Sequence, residues 1–395
     1  REATLAPSLK PEGLRLAALL LVGTMLGLAG IDLILPAVPS LPQALGGSLT
    51  QAQGVLAAYS FGTGAGLILF GALGARWPAR ALLPGALGLY GLSALAAAAA
   101  PSLDALIALR FIQGLLGACP AVLAPGILRA LFPPDRALRA IAALGSAEAL
   151  APALAPVFGA MLLTVGDWRL PFWVLGALAL GAAGLLHQAG SRFPALPMGE
   201  ATLPYGALLR ARAFPTLALA YACALASLLV YVFAMPTLLT QSLGGSLKHF
   251  IAMQITGILT FMVAANSAST LAQRFGARRV SAFGGFLSTL ALGALLAYAA
   301  AGGGALLPYL VLFVPVNLGL GFRGPLAFMA ALDAAGGNDS RASALMLLTV
   351  MLLTGLGTLM AAPTLDDGPR GLTLTAFLLA TLGLVAGRWG AEARP

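Results

Sequence analysis

Long apolar segments, separated by short connectors that carry arginine, dominate this sequence. Of its 395 residues, 59% are hydrophobic and 9% are charged, whereas soluble globular proteins carry about 25% charged residues. About twelve apolar segments of roughly 20 residues recur, and each is long enough to cross a hydrocarbon layer of about 30 Å as a helix rising about 1.5 Å per residue. The sequence therefore predicts an all-α polytopic membrane protein.

We predict twelve transmembrane helices from these segments. Their bounds are 14–37, 52–73, 81–100, 103–125, 138–164, 169–188, 214–240, 248–272, 279–301, 304–330, 340–362 and 370–389. The longest connector, 189–213, is rich in Pro, Gly and Arg. We expect it to be a cytoplasmic linker between two six-helix halves, 1–188 and 214–395.

An internal repeat supports this division into halves. Residues 73–80 read LGARWPAR and residues 271–278 read LAQRFGAR, so that Leu, Arg, Ala and Arg coincide at one constant offset. Each copy lies between the second and third span of its half. Two parallel six-span repeats, related by an axis along the membrane normal, are typical of transporters.

The 22 lysines and arginines indicate how the chain lies in the membrane. With both termini placed in the cytoplasm, 17 of them fall in cytoplasmic segments and three, Arg169, Lys248 and Arg370, in outer segments. Cytoplasmic connectors are enriched in Lys and Arg in this way. We therefore expect the net charge of +9 to reflect topology rather than nucleic-acid binding. The remaining two, Arg110 and Arg323, lie inside predicted spans.

Several function classes lack their sequence signatures here. The two cysteines, Cys119 and Cys223, both lie in apolar segments, so neither a disulfide framework nor a metal site is indicated. No G-x-x-x-x-G-K-[ST] nucleotide-binding loop occurs, and no group of His, Ser or paired acids converges as an enzyme site would. We expect no cofactor, no metal and no enzymatic activity.

An acid and a base are predicted at matching depth in two spans. Asp32 lies about six residues before the outer end of the first span and Arg110 about seven residues after the outer start of the fourth, so each would sit about 10 Å below the surface. Ionisable groups inside a span are costly and persist when they are paired, hydrated or functional. Arg110 would favour the ionised form of Asp32, whereas burial would favour its neutral form. We predict proton exchange at this pair; a static salt bridge is the alternative.

Arg110 begins a stripe of polar and small residues in the fourth span. Gln113, Gly114 and Gly117 follow it at three- and four-residue spacing, which places all four on one helix face. Glycines on such a face allow neighbouring helices to approach closely. We expect Gln113 to hydrogen-bond in the neighbourhood of Arg110.

Glu148 is the acid predicted nearest the middle of the membrane. It lies about ten residues into the fifth span and precedes Pro152, Pro156 and Gly159. Each proline removes a helical hydrogen bond and bends a helix. We predict that Glu148 is a second proton site or a counter-charge for a cationic substrate; a carboxyl kept protonated by burial is the alternative.

Arg323 lies in the glycine- and proline-interrupted string GLGFRGP of the tenth span. Broken helices accompany binding cavities in transporters. Our hypothesis is that Arg323 pairs with Glu148 across the two halves as an inner gate. The alternative is an arginine that snorkels to the cytoplasmic interface.

Three uncharged polar residues are further candidates for the lining of a substrate cavity, beside Asp32 and Gln113. They are Tyr59, Tyr231 and Asn317. Aromatic rings suit an apolar cavity, and amides and hydroxyls add hydrogen bonds. Packing between helices is the alternative for each.

Five strings of the sequence carry a family resemblance. They are IDLILPAVP (31–39), GALGARWPAR (71–80), LRFIQGLLG (109–117), APALAPVFG (151–159) and GDWR (166–169). The second and third resemble the connector motif and the fourth-span motif of the major facilitator superfamily. The other three resemble elements of its twelve-span drug:proton antiporters, within which the chain is similar to the bicyclomycin/chloramphenicol-resistance subfamily.

The resemblance implies roles for particular residues. Asp32 and Arg110 would couple proton movement to transport, and Gln113 would support them. The residues that would shape or stabilise conformational states are Pro152, Pro156 and Gly159, Arg76 and Arg80, and the counterparts Arg274 and Arg278 in the repeat. The connector motif's usual Asp and Gly are replaced here by Ala75 and Pro78; the acid anchors the second span to the eleventh in the family.

The resemblance also implies a function. It is proton-coupled secondary active efflux of small amphipathic drugs or metabolites, with two halves rocking around a central cavity. A proton-independent facilitator or importer of a small metabolite is the alternative. We expect a monomer in the bacterial inner membrane, with both termini cytoplasmic, whose partners are a small-molecule substrate, protons and lipid, and no nucleic acid.

Overall fold

A computed structural model of the chain describes residues 11–74, 76–194, 205–210, 213–336 and 339–392. Ala75 lies outside these ranges. At a few helical positions only the backbone is described, and Glu148 is one of them. The sequence-based hypotheses for the Glu148 side chain therefore lie outside the described residues and stay predictions.

The regular structure of the described ranges is helical. The helices are α1 (Pro11–Asp32), α2 (Leu41–Leu45), α3 (Leu49–Gly74), α4 (Ala79–Ala98), α5 (Leu103–Leu131), α6 (Pro134–Val165), α7 (Leu170–Gln188), α8 (Tyr205–Arg210), α9 (Phe214–Gln241), α10 (Leu247–Phe275), α11 (Ala277–Ala300), α12 (Leu306–Ala334), α13 (Asp339–Ala361) and α14 (Arg370–Glu392). Three short 3-10 helices lie at Leu35–Ser40, Gly190–Arg192 and Ala362–Thr364.

Twelve of these helices, all except the short α2 and α8, correspond to the predicted spans. Eleven are long and apolar enough to cross a membrane in the described residues, and α6 contributes the apolar stretch Leu154–Val165. The predicted all-α fold with twelve long helices is confirmed. The division into 1–188, 189–213 and 214–395 stays a prediction.

The first predicted span, 14–37, lies within the apolar helical segment Gly13–Leu45, but its regular α-helix ends earlier than predicted. Helix α1 stops at Asp32, and the chain continues as the 3-10 helix Leu35–Ser40 and then α2. Prolines at 36, 39 and 42 explain the change, because a proline lacks the N–H that an α-helix interior requires. Asp32 is therefore the last residue of a helix rather than a residue within one.

Helix α6 is longer and less interrupted than its prolines predict. It begins at Pro134 rather than at 138, and Pro152 and Pro156 both lie inside one continuous helix. Proline at the first helical position is favourable, since its missing N–H would have no intrahelical partner there.

Buried apolar residues form three clusters, and their distribution shows where the first six and the last six long helices pack together. The largest joins the first six and the last six long helices at the ends predicted to face outside, and includes Leu35, Val38, Leu56, Leu238 and Phe313. The second cluster draws its buried members from 16–189 and extends from Leu33, beside the shared cluster, to the opposite end. The third draws its buried members from 208–346 and lies at the opposite end. Among the described residues, the two sets of helices thus share an apolar core only at the end predicted to face outside. We call the shared cluster the outer closure.

Two hydrogen bonds cross the outer closure. The Gln53 amide in α3 donates to the Thr237 hydroxyl in α9 at 3.0 Å, and both side chains are buried. The Thr50 hydroxyl donates to the Ala362 carbonyl at 3.3 Å. Water has little access to Gln53 and Thr237. Breaking the hydrogen bond between them would therefore leave a buried polar group without a partner.

Thr237→Val tests the importance of this buried bond. We expect the variant to lose about 1–3 kcal/mol of stability, because the Gln53 N–H is left unpaired in an apolar environment. Thermal unfolding of the purified protein measures the effect. The control is Thr240→Val, since the Thr240 hydroxyl bonds only carbonyls of its own helix.

The double variant Gln53→Leu/Thr237→Val separates this cause from a packing defect. Removing both polar partners should recover part of the lost stability. A double variant that is no more stable than Thr237→Val alone would contradict the proposed role of the bond.

Candidate functional site

Arg110 lies fully buried near the start of α5, and the protein surrounds its guanidinium with acceptors. Nη1 donates to the Gly30 carbonyl at 3.0 Å and to the Gln113 amide oxygen at 2.9 Å. The guanidinium carbon lies 4.2 Å from the centre of the Tyr59 ring. Charge-assisted hydrogen bonds and a cation–π contact both stabilise a cation in a medium of low dielectric. The expected bond between Gln113 and Arg110 is present.

Two tyrosines connect this guanidinium to helix α1. The Tyr59 hydroxyl donates to the Gly27 carbonyl, the Tyr90 hydroxyl donates to the Leu26 carbonyl at 2.9 Å, and the two hydroxyl oxygens are 3.3 Å apart. Tyr59, predicted to line a cavity, thus forms a wall of the Arg110 site. Sequence reasoning missed Tyr90; its signal was that a tyrosine in an apolar span needs a partner for its hydroxyl.

Glycines let α5 approach its neighbours at this site. A Cβ added at Gly114 would overlap the Tyr59 carbonyl of α3, and one added at Gly27 of α1 would overlap the Gly117 carbonyl. The close approach expected from this stripe of α5 is therefore present. It brings Gly30 and Tyr59 within reach of Arg110.

Asp32 lies at the edge of the same site. Its side chain is 4% exposed, and the Arg110 guanidinium acts on it electrostatically. The described side chains form a salt bridge between Arg169 and Asp167, and none between Asp32 and Arg110. The acid and the base therefore share one buried region without a static ion pair.

Several donors of the site have no hydrogen-bond partner among the described residues. They are Nε and Nη2 of Arg110 and the amide nitrogen of Gln113. Such groups are free to bind an acceptor, and an ionised carboxylate or a substrate oxygen would satisfy them. The site thus combines a fixed positive charge, a titratable acid and unused hydrogen-bond donors.

Helix α6 packs against the backbone directly after Asp32. A Cβ added at Gly159 would overlap the carbonyl oxygen of Leu33, the residue that follows the acid. Among the other predicted residues of this helix, Pro156 is buried and Pro152 half-buried. A movement of α6 would therefore act on the backbone that carries Asp32.

Arg323 does not snorkel to the cytoplasmic interface, so that interpretation is wrong. It is 4% exposed, so it does not snorkel, and its Nη2 donates to the Gly383 carbonyl at 2.6 Å and to the Ala220 carbonyl at 3.3 Å. Its proposed pairing with Glu148 lies outside the described residues and stays a prediction. Gly285 makes room for the guanidinium, since an added Cβ would overlap its Nη1. Arg323 therefore joins α12 to α9 and α14 within the last six long helices.

Tyr231 and Asn317 lie apart from the Arg110 site. The Tyr231 ring stacks on Phe313 at 5.5 Å and its hydroxyl donates to the Tyr309 carbonyl at 3.2 Å. The Asn317 amide donates to the Phe313 carbonyl of its own helix at 2.9 Å, and it lies against Gly257 of α10. Both residues pack between helices of the last six.

The predicted conformational arginines lie at the surface. Arg76, Arg80, Arg274 and Arg278 are exposed in or beside the connectors that follow α3 and α10. Trp77, next to the first pair, is also exposed. Tryptophan and arginine are common where a helix meets a membrane interface.

Comparison with known proteins identifies relatives by sequence. The sequence model of the Major Facilitator Superfamily matches residues 20–358. A bicyclomycin resistance protein homolog of Haemophilus influenzae is 26% identical over 43% of this chain and 45% of its own length. A chloramphenicol resistance protein of Pseudomonas aeruginosa is 27% identical over 69% of this chain and 65% of its own length. The chain thus spans less than two thirds of either relative.

Solved structures show the same fold at low sequence identity. A bacterial homologue of the human lysosomal transporter Spinster, in an inward-facing and unoccupied conformation, has a TM-score of 0.71 and 16% identity over 98% of this chain and 99% of its own. A D-xylose–proton symporter has a TM-score of 0.69 and 16% identity over 96% and 97% of the two chains.

Gly159→Ala tests whether close approach of α6 matters at Asp32. We expect a loss of about 1–3 kcal/mol of stability, because the added methyl group forces the Leu33 carbonyl to move. Thermal unfolding measures it. Gly126→Ala is the matched control, since an added Cβ there meets open space and should be neutral or stabilising. Equal effects of the two substitutions would contradict the assigned contact.

Proposed function

We propose a function for this chain from one premise: it belongs to the major facilitator superfamily, whose sequence model matches residues 20–358. The chain is a transporter of a small molecule rather than an enzyme. We infer that it exports small amphipathic compounds in exchange for protons, by alternating access, with Asp32 as the proton carrier.

The observation that carries the proposal is the position of Asp32. The acid lies at the end of α1, beside the buried Arg110 charge, and the outer closure begins at Ile34, two residues further along. A change in the charge of Asp32 would therefore act at once on Arg110 and on the segment that closes the outer end.

The Arg110 site supplies the electrostatic part of the cycle. An arginine stays protonated in proteins, so the protonation state of Asp32 depends on its access to water and on its distance from that fixed charge. When the acid is ionised, the unused donors of Arg110 and Gln113 are available to bind it. When it is protonated, those donors are available to substrate.

The packing supplies the mechanical part of the cycle. The shared core at one end and the separate cores at the other correspond to one of the two states that alternating access requires. Opening the outer end requires the outer closure to separate and the Gln53–Thr237 bond to break. Helix α6 would transmit that movement to Asp32 through Gly159.

The relatives support export as the direction. Two are named for resistance to bicyclomycin and chloramphenicol, and a third, of Escherichia coli, is called multidrug resistance protein MdtL and is 27% identical over 38% of this chain. Proton entry favours export by about 2.3 kcal/mol per charge for each 100 mV of membrane potential.

Asp32→Asn tests the proposal in proteoliposomes with an imposed pH gradient. One pH unit corresponds to about 1.4 kcal/mol, so the native chain should concentrate a substrate about tenfold for each proton exchanged. We expect the variant to lose this accumulation, because its amide cannot carry a proton. Radiolabelled chloramphenicol and bicyclomycin are the first compounds to measure, together with a pH-sensitive dye inside the vesicles.

Three further measurements make the result decisive: transport by two more variants, and transport by the native chain in the presence of a protonophore. Asp366→Asn, which neutralises an exposed acid in a loop, should transport like the native chain. Glu148→Gln shows whether the second predicted acid also carries protons. Accumulation that persists in Asp32→Asn, or flux that a protonophore leaves unchanged, would contradict antiport and favour the facilitator or importer.

A further inference from the structure

A groove opens between α4 and α7 at the end of these helices that is predicted to face the cytoplasm. The groove has a volume of about 740 Å³ and is open to the surroundings. Arg80, the second residue of α4, and His187, in the last turn of α7, lie at its mouth. Pro84, Gly85, Leu180 and Gly184 are among the residues that form its walls.

Glycine positions explain why the two helices separate here. At Gly91 and Gly176 they are in contact, since an added Cβ at either would lie 3.0 Å from the carbonyl of the other. About two turns nearer the groove mouth, added Cβ atoms at Gly85 and Gly184 would meet nothing within 4 Å. The helices thus diverge toward one end, and the absence of side chains leaves a groove.

The groove is polar and basic at its mouth and apolar along its walls. Its mouth carries the Arg80 guanidinium and the His187 imidazole, and no acid is among its described lining residues. Its walls are apolar and reach about 10 Å along the helices, the rise of seven residues from Leu180 to His187. Exposed Trp77 lies one turn before Arg80, as is typical of the headgroup region.

We propose that this groove binds an anionic phospholipid. The phosphate would lie at Arg80 and His187, and the first part of an acyl chain would fill the space at Gly85 and Gly184. A basic pocket between transmembrane helices on the cytoplasmic side suits an anionic headgroup. The apolar walls distinguish a lipid from a free anion, because an inorganic phosphate would gain nothing from them.

Native mass spectrometry of the purified full chain, titrated with phosphatidylglycerol or phosphatidylcholine, tests the proposal. We expect phosphatidylglycerol to bind more tightly than phosphatidylcholine, and Arg80→Gln to weaken it about fivefold, the effect of one basic residue near an anionic lipid. Gly85→Leu and Gly184→Leu should abolish the bound lipid with both charges intact. Arg278→Gln, the counterpart of Arg80 in the repeat, should leave binding unchanged.

Other outcomes would overturn the proposal. They are equal binding of the two lipids, undiminished binding by Arg80→Gln, or retention of lipid by a leucine variant whose thermal unfolding matches the native chain. Displacement of phosphatidylglycerol by millimolar inorganic phosphate would show a free-anion site instead. None of these results depends on the proton-coupled efflux proposed above.

Discussion

A positive charge buried in a membrane interior is the constraint around which the first six long helices are arranged. Arg110 cannot lose its proton, and water does not reach it. The protein compensates with the Gly30 carbonyl, the Gln113 amide and the face of Tyr59. Each compensating group comes from a defined place on α1, α3 or α5, so the charge fixes how these three helices pack.

Small residues make that arrangement possible. Carbonyl oxygens and rings reach Arg110 because α5 lies against α1 and α3 at Gly114 and Gly117. The same device recurs at Gly159, where α6 touches the backbone beside Asp32. In hydrocarbon, where helices gain no hydrophobic driving force from one another, close backbone contact is a main source of packing energy. The site and the packing are therefore one structure, and a change in either alters the other.

The second buried arginine shows a different solution to the same problem. Arg323 lies among α9, α11 and α14, and its guanidinium donates to two backbone carbonyls. Its role is to hold helices of the last six together, whereas Arg110 lies beside an acid and retains unused donors. The two buried arginines thus differ in how they are bonded because their neighbours differ.

Hydropathy and span length depend only on residue order, so they were enough to predict the helical membrane fold. The sequence also predicted a site at Asp32 and Arg110, because a charged residue in an apolar run is costly wherever the run packs. It could not find the end of α1 at Asp32 from hydropathy alone, although the prolines that follow give the local reason. The partners of these residues required the tertiary structure: Tyr90 beside Tyr59, Leu33 against Gly159, and Arg323 bonded to two backbone carbonyls. Such contacts join residues far apart in sequence, and their geometry depends on how whole helices cross.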